Sequence, residues 1–581
     1  MSKRDLAWVV SIALAPLWLE AGDRAFERIP ENAAGAEALQ GGVNPWLYWG
    51  TYQRNPRLVQ PPWRDGDDVV VGWDWSLPPA VKPSSRARLR WGFGGWKDGK
   101  LRKAGFPDGL SCVDEVWWSW RKLEPEEGQF DFNGLKEEIH RRIEAGCRGV
   151  IIRLLGSVWE TGTPEQVREW QKKSAWRFNR WSAPRWLERY DVRKIEEIKG
   201  GERVVHADIF DPIYHEKYLR LVKAFGASGL PALPELHGLL ICGMSFSNGE
   251  EAAGVKFQTP EQEKRWRERL QAWIDAFGGE KRKLIAMGDG PAMRINMEYG
   301  LGSRDGYVEM YLYHAEDRDR GQYIDARRYL CVDESNPFIA NPDIIFGDEN
   351  EEYSERQVDC FGPIESFNYR YFTSMLRFLQ MRRNYLYTEE NAVLPDLLWY
   401  VCHAMARTVQ DTPDAWCFLR ESYVRQKGTD ALKNFERRVY QRDREGFETQ
   451  PAVRIPHAIE RWWLHDPRRR YDYVARTGKR IGFAVDDRFV SGRCRVAVKV
   501  SFYDGFHDAW RLVYTQGGKA AGSAPVECTG TDGFRTATFF IDADFDAKEM
   551  AFDLEIHSGG RVPISFVRLI RLQPRMETPQ Q

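Results

Sequence analysis

The chain has 581 residues, with 84 lysines and arginines against 85 aspartates and glutamates, so its formal net charge is −1. This length predicts two or three domains, and the balanced charge excludes a nucleic-acid binder that relies on an overall basic surface. The nine cysteines contain no CxxC pair, which argues against zinc-finger spacing and against a disulfide framework, and slightly favours a reducing compartment.

Residues 1–40 form an N-terminal segment with two competing interpretations. A basic start and an apolar stretch from Leu6 to Leu19 are typical of a secretory signal peptide. Asp5 at the edge of that stretch, and the lack of an A-x-A site after it, favour an amphipathic helix broken at Pro16 instead. We expect a secreted or periplasmic protein in the first case and a cytoplasmic one in the second. No other stretch approaches the roughly 18 apolar residues that span a bilayer, so no integral membrane segment is predicted.

The next segment, residues 41–110, is rich in Trp, Gly and Pro and is predicted to be an extended lead-in that packs on a barrel or on a sandwich. From about residue 112, apolar runs alternate with amphipathic helices, which is the pattern of parallel strands joined by helical crossovers. The predicted strands are 113–120, 148–156, a short irregular one near 184–206, 236–246, 283–289, 308–314, 384–388 and 415–419.

Eight such strands predict a (β/α)₈ TIM barrel, an α/β fold, over residues 111–430. An open doubly wound sheet is the alternative, but no glycine-rich phosphate loop follows any of the strands to support it. Residues 431–470 are predicted to be a linker. Short alternating runs separated by turn-rich segments then predict an antiparallel β-sandwich over residues 471–572. This sandwich is either carbohydrate-binding or a structural unit that packs on the barrel.

Aromatic side chains are abundant, with 24 Trp, 23 Tyr and 30 Phe. Flat rings stack on sugars, but they also fill cores, so this excess supports a carbohydrate ligand only weakly. In a (β/α)₈ barrel the functional residues lie just past the C-terminal ends of the strands. Carboxylates follow three predicted strands: Glu124, Glu126 and Glu127; Glu250 and Glu251; and Glu389 and Glu390. A facing pair of carboxylates can cleave a glycosidic bond.

The order of motifs resembles that of a known enzyme group. The segments SWRKLEPEEGQFDF, GLKEEIHRRIEAGCRGVIIRLLG, APRWL, DPIYHEKYLRLV and a strand that ends in SNGEE follow one another. They are similar to the retaining glycoside hydrolases of clan A, and most similar to the family 42 β-galactosidases. The resemblance covers roughly residues 112–255, and later only NYLYTEE.

The resemblance implies a general acid/base after the fourth strand and a nucleophile at the end of the seventh. These positions correspond to Glu250 and Glu389. Gly249 separates Asn248 from Glu250, whereas the family has Asn directly before the acid/base, so Glu251 is a contender. Glu390 is a contender for the nucleophile, because successive residues of a strand point to opposite faces. The acids of the L-E-P-E-E-G block are expected to shape a loop and the start of the following helix.

Several further residues are candidates for binding the substrate. Arg153 could keep the nucleophile ionised through a charge-assisted hydrogen bond, and Asn248 matches the amide that binds a sugar hydroxyl in the family. The remaining candidates are Trp118, Trp120 and Trp159 as sugar-stacking walls and Arg304 near a later strand. Neither an HExxH nor a GxSxG motif is present and the ten histidines do not cluster, so no metal and no cofactor are predicted.

The sequence therefore predicts a retaining glycoside hydrolase that acts on an oligo- or polysaccharide by a two-glutamate double displacement. A non-catalytic carbohydrate-binding barrel is the alternative, and a polysaccharide lyase is a weaker one. The expected partner is a carbohydrate, with no nucleic acid. The sequence does not predict the sugar, the linkage, exo or endo action, or the oligomeric state.

Overall fold

The structure is a computed structural model. It describes residues 68–78, 80–91, 96–97, 100–101, 112–161, 182–199, 202–241, 257–286, 291–307, 317–350, 367–388, 395–422, 432–456, 471–505, 507–546 and 549–572. Glu250, Glu251, Asn248, Glu389 and Glu390 lie outside these residues.

A parallel sheet of eight strands forms a barrel. In chain order its strands are β1 (Arg88–Trp91), β2 (Val113–Ser119), β3 (Gly149–Leu155), β4 (Leu236–Ile241), β5 (Leu284–Ala286), β6 (Ser303–Tyr307), β7 (Phe346–Asn350) and β8 (Tyr385–Thr388). Neighbouring strands pair from β1 to β5 and from β6 to β8, and β8 pairs with β1. A parallel bridge between Ile285 and Gly302 joins β5 to β6 and closes the barrel. The predicted (β/α)₈ barrel is therefore confirmed.

The barrel has eight strands, as predicted, but the segments assigned to them differ from the prediction at both ends of the barrel. The first barrel strand is Arg88–Trp91, upstream of residue 111, so the predicted first strand is the second one. The segment 385–388, predicted to be strand seven, is β8, and the seventh strand is Phe346–Asn350. The predicted barrel strand 415–419 belongs instead to an antiparallel sheet, within Asp414–Ser422.

Helices connect the barrel strands. The α-helices are Trp120–Leu123 and Asn133–Glu144 after β2, Pro212–Ala227 before β4, Pro260–Phe277 before β5, Pro291–Glu298 before β6, Pro337–Ala340 before β7, Phe367–Gln380 before β8 and Pro395–Ala404 after β8. Short 3₁₀ turns are Arg185–Arg189, Leu230–Ala232, Gly278–Lys283 and Arg318–Arg320. Thr259 caps its helix in a capping box with Gln262, and Asp211 caps Pro212–Ala227 by accepting from the backbone NH of Ile213 and Tyr214.

Among the described residues, three small antiparallel sheets lie in the connections between barrel strands. Between β3 and the helix that starts at Pro212, strands Val158–Thr161, Lys194–Lys199 and Glu202–Ala207 form a three-stranded sheet. This sheet replaces the single irregular strand predicted near 184–206. The other two are hairpins of Trp96–Lys97 with Lys100–Leu101 and of Gln322–Ile324 with Leu330–Val332.

Two antiparallel sheets make up the sandwich. The first runs in the order Asp68–Val71, Phe534–Asp544, Arg493–Tyr503, Ile564–Arg571, Asp414–Ser422, Tyr471–Thr477 and Gln450–Pro456, and Leu432–Arg437 pairs with Asp414–Ser422. The second runs in the order Val439–Gln441, Arg480–Val485, Leu554–Ser558, Ala509–Gln516 and Lys519–Gly522, and Val526–Glu527 pairs with Ala509–Gln516. The sandwich thus includes strands from 414–456, part of which was predicted to be linker, and one strand from the predicted lead-in.

The barrel and the sandwich share one hydrophobic core. Phe372 and Leu397, on the two helices that flank β8, belong to the same buried cluster as Trp416 and Phe566 of the first sandwich sheet. Tyr400, on the last barrel helix, adds a polar link, because its hydroxyl donates a 2.8 Å hydrogen bond to buried Asp414. The sandwich is therefore built onto the barrel through a buried interface.

Gly302 is required where the barrel closes. Its NH donates to the carbonyl of Leu284 at 2.8 Å, and the NH of Ala286 donates to its carbonyl at 2.9 Å. A Cβ at Gly302 would lie 2.6 Å from the backbone oxygen of Ile345 and 3.0 Å from that of Leu284. Because both neighbours are backbone atoms, the strands themselves would have to move to accept a side chain.

We expect Gly302→Ala to lower the free energy of unfolding by about 1 to 3 kcal/mol, the usual cost of overpacking. Urea unfolding followed by circular dichroism measures this change. Gly279→Ala is the matched control, because a Cβ at Gly279 would meet no atom within 4 Å. Equal midpoints for the two variants would contradict the tight closure.

Candidate functional site

An ion-pair network lies at the centre of the barrel interior. Glu115 and Trp117 of β2 point to the inner face, since residues two apart on a strand share a face. The Glu115 side chain is 0% exposed, and its Oε1 lies 2.8 Å from Arg153 Nε and accepts a 2.7 Å hydrogen bond from Trp117 Nε1. Its Oε2 accepts a 3.2 Å hydrogen bond from the Tyr385 hydroxyl and lies 3.7 Å from Arg90 Nη1. One carboxylate thus links β1, β2, β3 and β8.

Glu115 is held in its charged form. Burial by itself would raise the pKa of the carboxyl, but the charges of Arg153, Arg90 and Arg304 outweigh burial and lower the pKa to about 2. Burial raises the pKa of the Tyr385 phenol, and the nearby Glu115 charge adds to the rise, so the phenol stays protonated and can donate its hydrogen bond. Buried charges with strongly shifted pKa values concentrate at functional sites.

A second part of the inner face combines arginines with Tyr387 of β8. Arg90 is in register with Tyr387, and its guanidinium carbon lies 3.6 Å from the centre of the phenol ring. The guanidinium carbon of Arg304, on β6, lies 5.7 Å from the centre of the same ring. On β7, between these two strands, Glu349 is in register with Tyr387. Glu349 therefore occupies a register position on the inner face of the seventh strand.

Two of the predicted sugar-stacking residues do not face the barrel interior. Trp120 is 0% exposed and lies in the core between the barrel and its helices. Its ring meets those of Trp186, Tyr214 and Tyr218 edge-on, at centroid distances of 5.9, 5.3 and 5.5 Å. No face of Trp120 is left for a sugar, so its predicted stacking role is wrong. Trp118 lies on the outer face of β2, with Lys122 Nζ 4.6 Å from its ring centre.

The other predicted binding residues lie either in the barrel interior or on the three-stranded sheet that follows β3. Arg153 lies in the barrel interior and is 2% exposed, and the carboxylate beside it is that of Glu115. Arg304 is 5% exposed and lies beside Tyr387. Trp159 is half-buried on the three-stranded sheet that follows β3, with Lys194 Nζ 4.1 Å from its ring centre. The structure thus brings Arg153 and Arg304 to one site.

The L-E-P-E-E-G block is a structural turn, in line with the sequence-based expectation. Glu124 is 1% exposed, and its carboxylate accepts 2.7 Å hydrogen bonds from Trp120 Nε1 and from the NH of Gly128. Gly128 has φ +80°, which favours glycine. Glu127 lies 2.8 Å from Lys217 Nζ, on the helix before β4. These acids fix the segment after β2 against neighbouring elements.

Sequence reasoning missed Glu115, Trp117, Arg90 and Tyr387. The alternation of β2 places Glu115 on the same face as Trp117, while Val116 and Trp118 face outward. Within the described ranges, no group of three or more His, Cys, Asp or Glu side chains could hold a metal ion. In the same part of the chain, no helix is both long and apolar enough to cross a membrane.

Comparison with known proteins gives weak structural matches. No family model matches the chain, and no curated protein matches it. Among solved structures, endo-glycoceramidase II from Rhodococcus sp. is 11% identical, covers 85% of this chain and 100% of its own length, and gives a TM-score of 0.30. The structure of its ganglioside GM3 complex is 10% identical, covers 85% of this chain and 100% of its own length, and gives a TM-score of 0.29.

A second solved structure is more distant. A cycloisomaltooligosaccharide glucanotransferase from Paenibacillus sp., in complex with cycloisomaltoheptaose, is 8% identical, with 84% and 58% coverage and a TM-score of 0.23. The fold is therefore defined by the strand order and register of the barrel and the sandwich.

Proposed function

We propose that the chain is a retaining glycoside hydrolase that cleaves an oligo- or polysaccharide with two glutamates, Glu250 after β4 and Glu349 in β7. The observation that carries this proposal is the register of Glu349, in the seventh strand, with Tyr387. The resemblance to clan A, and to family 42 in particular, assigns the nucleophile to strand seven. Because residues 385–388 form the eighth strand, that rule now points to Glu349 in place of Glu389.

The proposed chemistry is a double displacement. The Glu349 carboxylate attacks the anomeric carbon, the glycosidic C–O bond breaks, and Glu250 gives its proton to the leaving oxygen. Glu250, now a carboxylate, takes a proton from water, whose oxygen attacks the anomeric carbon and releases Glu349. Glu251 remains the contender for the acid/base, because Gly249 shifts the spacing from Asn248.

The charges of the barrel interior suit these roles. Arg304 of β6 is in register with Gly347, two residues before Glu349. Arg90 lies on β1, the strand on the other side of β8, with its guanidinium carbon 3.6 Å from the centre of the Tyr387 ring. A carboxylate placed near guanidinium groups keeps a low pKa and stays ionised, as a nucleophile must. Glu115 already shows this effect on the same face.

The test is hydrolysis of a panel of aryl glycosides and soluble polysaccharides by Glu250→Gln, Glu349→Gln and Glu389→Gln. We expect Glu250→Gln to lose about 10² to 10⁴-fold in kcat, the usual contribution of a general acid/base. Glu349→Gln should form no glycosyl-enzyme and should lose turnover. Glu389→Gln is the matched control and should keep the wild-type rate.

Two outcomes would overturn this assignment. Full activity in both Glu250→Gln and Glu349→Gln would contradict the glutamate pair. An inactive Glu389→Gln beside an active Glu349→Gln would assign the nucleophile to Glu389, after β8.

A non-catalytic carbohydrate-binding barrel is the second candidate, favoured by Gly249 between Asn248 and Glu250. It predicts that wild type binds members of the panel and cleaves none.

A further inference from the structure

Trp117 differs from the other tryptophans of its segment. It is half-buried and packs against the apolar cluster inside the barrel, which includes Tyr385, Leu155 and Leu240. Its neighbour Trp118 points outward from the same strand. Trp117 is also the last large inward-facing side chain of β2, because Ser119, two residues further on, caps the next helix by accepting from the NH of Lys122.

The Trp117 ring is fixed in place. Its Nε1 donates to buried Glu115, so the indole NH is satisfied within the protein. The guanidinium carbon of Arg153 lies 4.4 Å from its ring centre and covers one side of the indole. Arg153 is in turn held by Glu115 at 2.8 Å. A ring held by two neighbours loses little further freedom when a ligand binds, which favours affinity.

The position of Trp117 suits a ligand of the barrel. It lies toward the C-terminal end of β2, the end at which barrel enzymes bind their substrates. A flat, partly exposed ring there offers a surface for the apolar C–H face of a pyranose. Trp118, by contrast, lies outside the barrel beside Gly134 of the following helix, where a Cβ would be 3.5 Å from its ring.

We propose that Trp117 is a sugar-binding platform of the barrel, on which the apolar face of a pyranose ring stacks, and that Glu115 and Arg153 are positioning residues that hold the platform. This inference deepens the proposed function and rests on it for the class of ligand. It replaces Trp118 and Trp120 with a residue on the inner face of the same strand.

The experiment compares Trp117→Ala, Trp117→Phe and the matched control Trp118→Ala in the full chain. Binding is measured without turnover, by calorimetry with the p-nitrophenyl thioglycosides of glucose, galactose, mannose and xylose, whose glycosidic sulfur resists hydrolysis. Retardation in native gels that contain mixed-linkage β-glucan, galactomannan, arabinoxylan or pectic galactan extends the panel to polymers. The thermal unfolding midpoint of each variant reports whether it is folded.

We expect Trp117→Ala to weaken binding of the glycan that wild type binds best by about tenfold or more, because the stacking surface is lost. Trp117→Phe keeps a flat ring and should lose about threefold or less, while Trp118→Ala should bind as wild type does. Wild-type affinity in Trp117→Ala, an equal loss in Trp118→Ala, or no binding by wild type across the panel would each overturn the platform.

The binding data also separate the platform from the hydrolase. A wild type that binds through Trp117 but cleaves nothing would overturn the proposed hydrolysis and support the platform. Hydrolysis by Trp117→Ala with the wild-type KM would support the hydrolase and overturn the platform.

Discussion

Glu115→Gln is expected to lower the free energy of unfolding at pH 7 by about 3 to 5 kcal/mol, the cost of removing one partner from a buried ion pair. The side chain is fully buried, and its carboxylate faces Arg153 at 2.8 Å and Arg90 at 3.7 Å. Glutamine keeps the shape but removes the negative charge. Two buried guanidinium groups would then lack the carboxylate that offsets their loss of hydration.

The effect should depend on pH in a defined window. The pKa of Glu115 falls from an ordinary 4.5 to about 2 in the folded protein. A carboxyl with a lowered folded-state pKa stabilises the protein above its unfolded-state pKa, and this contribution is lost as the pH falls through about 2. The difference in stability between wild type and Glu115→Gln should therefore shrink as the pH falls from about 4.5 to 2.

Chemical unfolding at several pH values measures this difference. Glu126→Gln is the matched control, because Glu126 pairs with Arg189 at the surface, with the two side chains 63% and 59% exposed. An exposed pair of this kind contributes about 0 to 1 kcal/mol. Equal stability of the two variants at pH 7 would show that the Glu115 network does not hold the barrel together.

The sequence was sufficient to predict an eight-stranded barrel but not to assign all of its strands. Apolar runs such as 148–156 and 236–246 match β3 and β4, because a parallel strand covered on both faces is apolar along most of its length. β1 has only four residues, and Arg88 and Arg90 stand at its inward positions. Its membership in the barrel depends on pairing with β8 and β2, which no local pattern encodes.

The strand Asp414–Ser422 shows the opposite error. All nine of its residues are buried, and the five residues 415–419 form the continuous apolar run expected of a parallel barrel strand. One face, with Trp416 and Phe418, joins the core shared with the barrel helices. The other face, with Cys417 and Leu419, joins the core of the sandwich. A strand that is buried on both faces has a continuous apolar run whether it is parallel or antiparallel. This run led to the incorrect prediction of a parallel barrel strand.

The candidate site was predicted only in part for a related physical reason. Arg153 and Arg304 were identified, and both lie on the inner face. The nucleophile was assigned by counting strands. The missed β1 was offset by the irregular strand counted near 184–206, but the missed strand Phe346–Asn350 made 385–388 the predicted seventh strand. The count therefore gave Glu389, whereas the observed seventh strand carries the proposed nucleophile Glu349. Strand alternation could have placed Glu115 on the inner face, but it does not reveal the ion-pair network, because the partners of Glu115 come from three other strands.

The shared core predicts how the two halves of the molecule unfold. Phe566 is 2% exposed, and its ring lies 5.4 Å from Trp75 and 5.5 Å from Trp416, measured between ring centroids. Trp75 stacks in turn on Tyr400 of the last barrel helix at 5.1 Å. We expect Phe566→Ala to lower the free energy of unfolding by about 3 to 5 kcal/mol, through lost burial and the cavity that remains.

Because these rings belong to one cluster with the barrel helices, the loss should destabilise barrel and sandwich together. Scanning calorimetry should then show one transition, shifted to lower temperature, with circular dichroism and tryptophan fluorescence changing in parallel. Phe130→Ala is the matched control, since Phe130 is only half-buried and stacks on Phe132 at 6.2 Å, away from the sandwich. Two transitions, with only the sandwich shifted by Phe566→Ala, would instead mean that the sandwich is an independent module attached to a self-sufficient barrel.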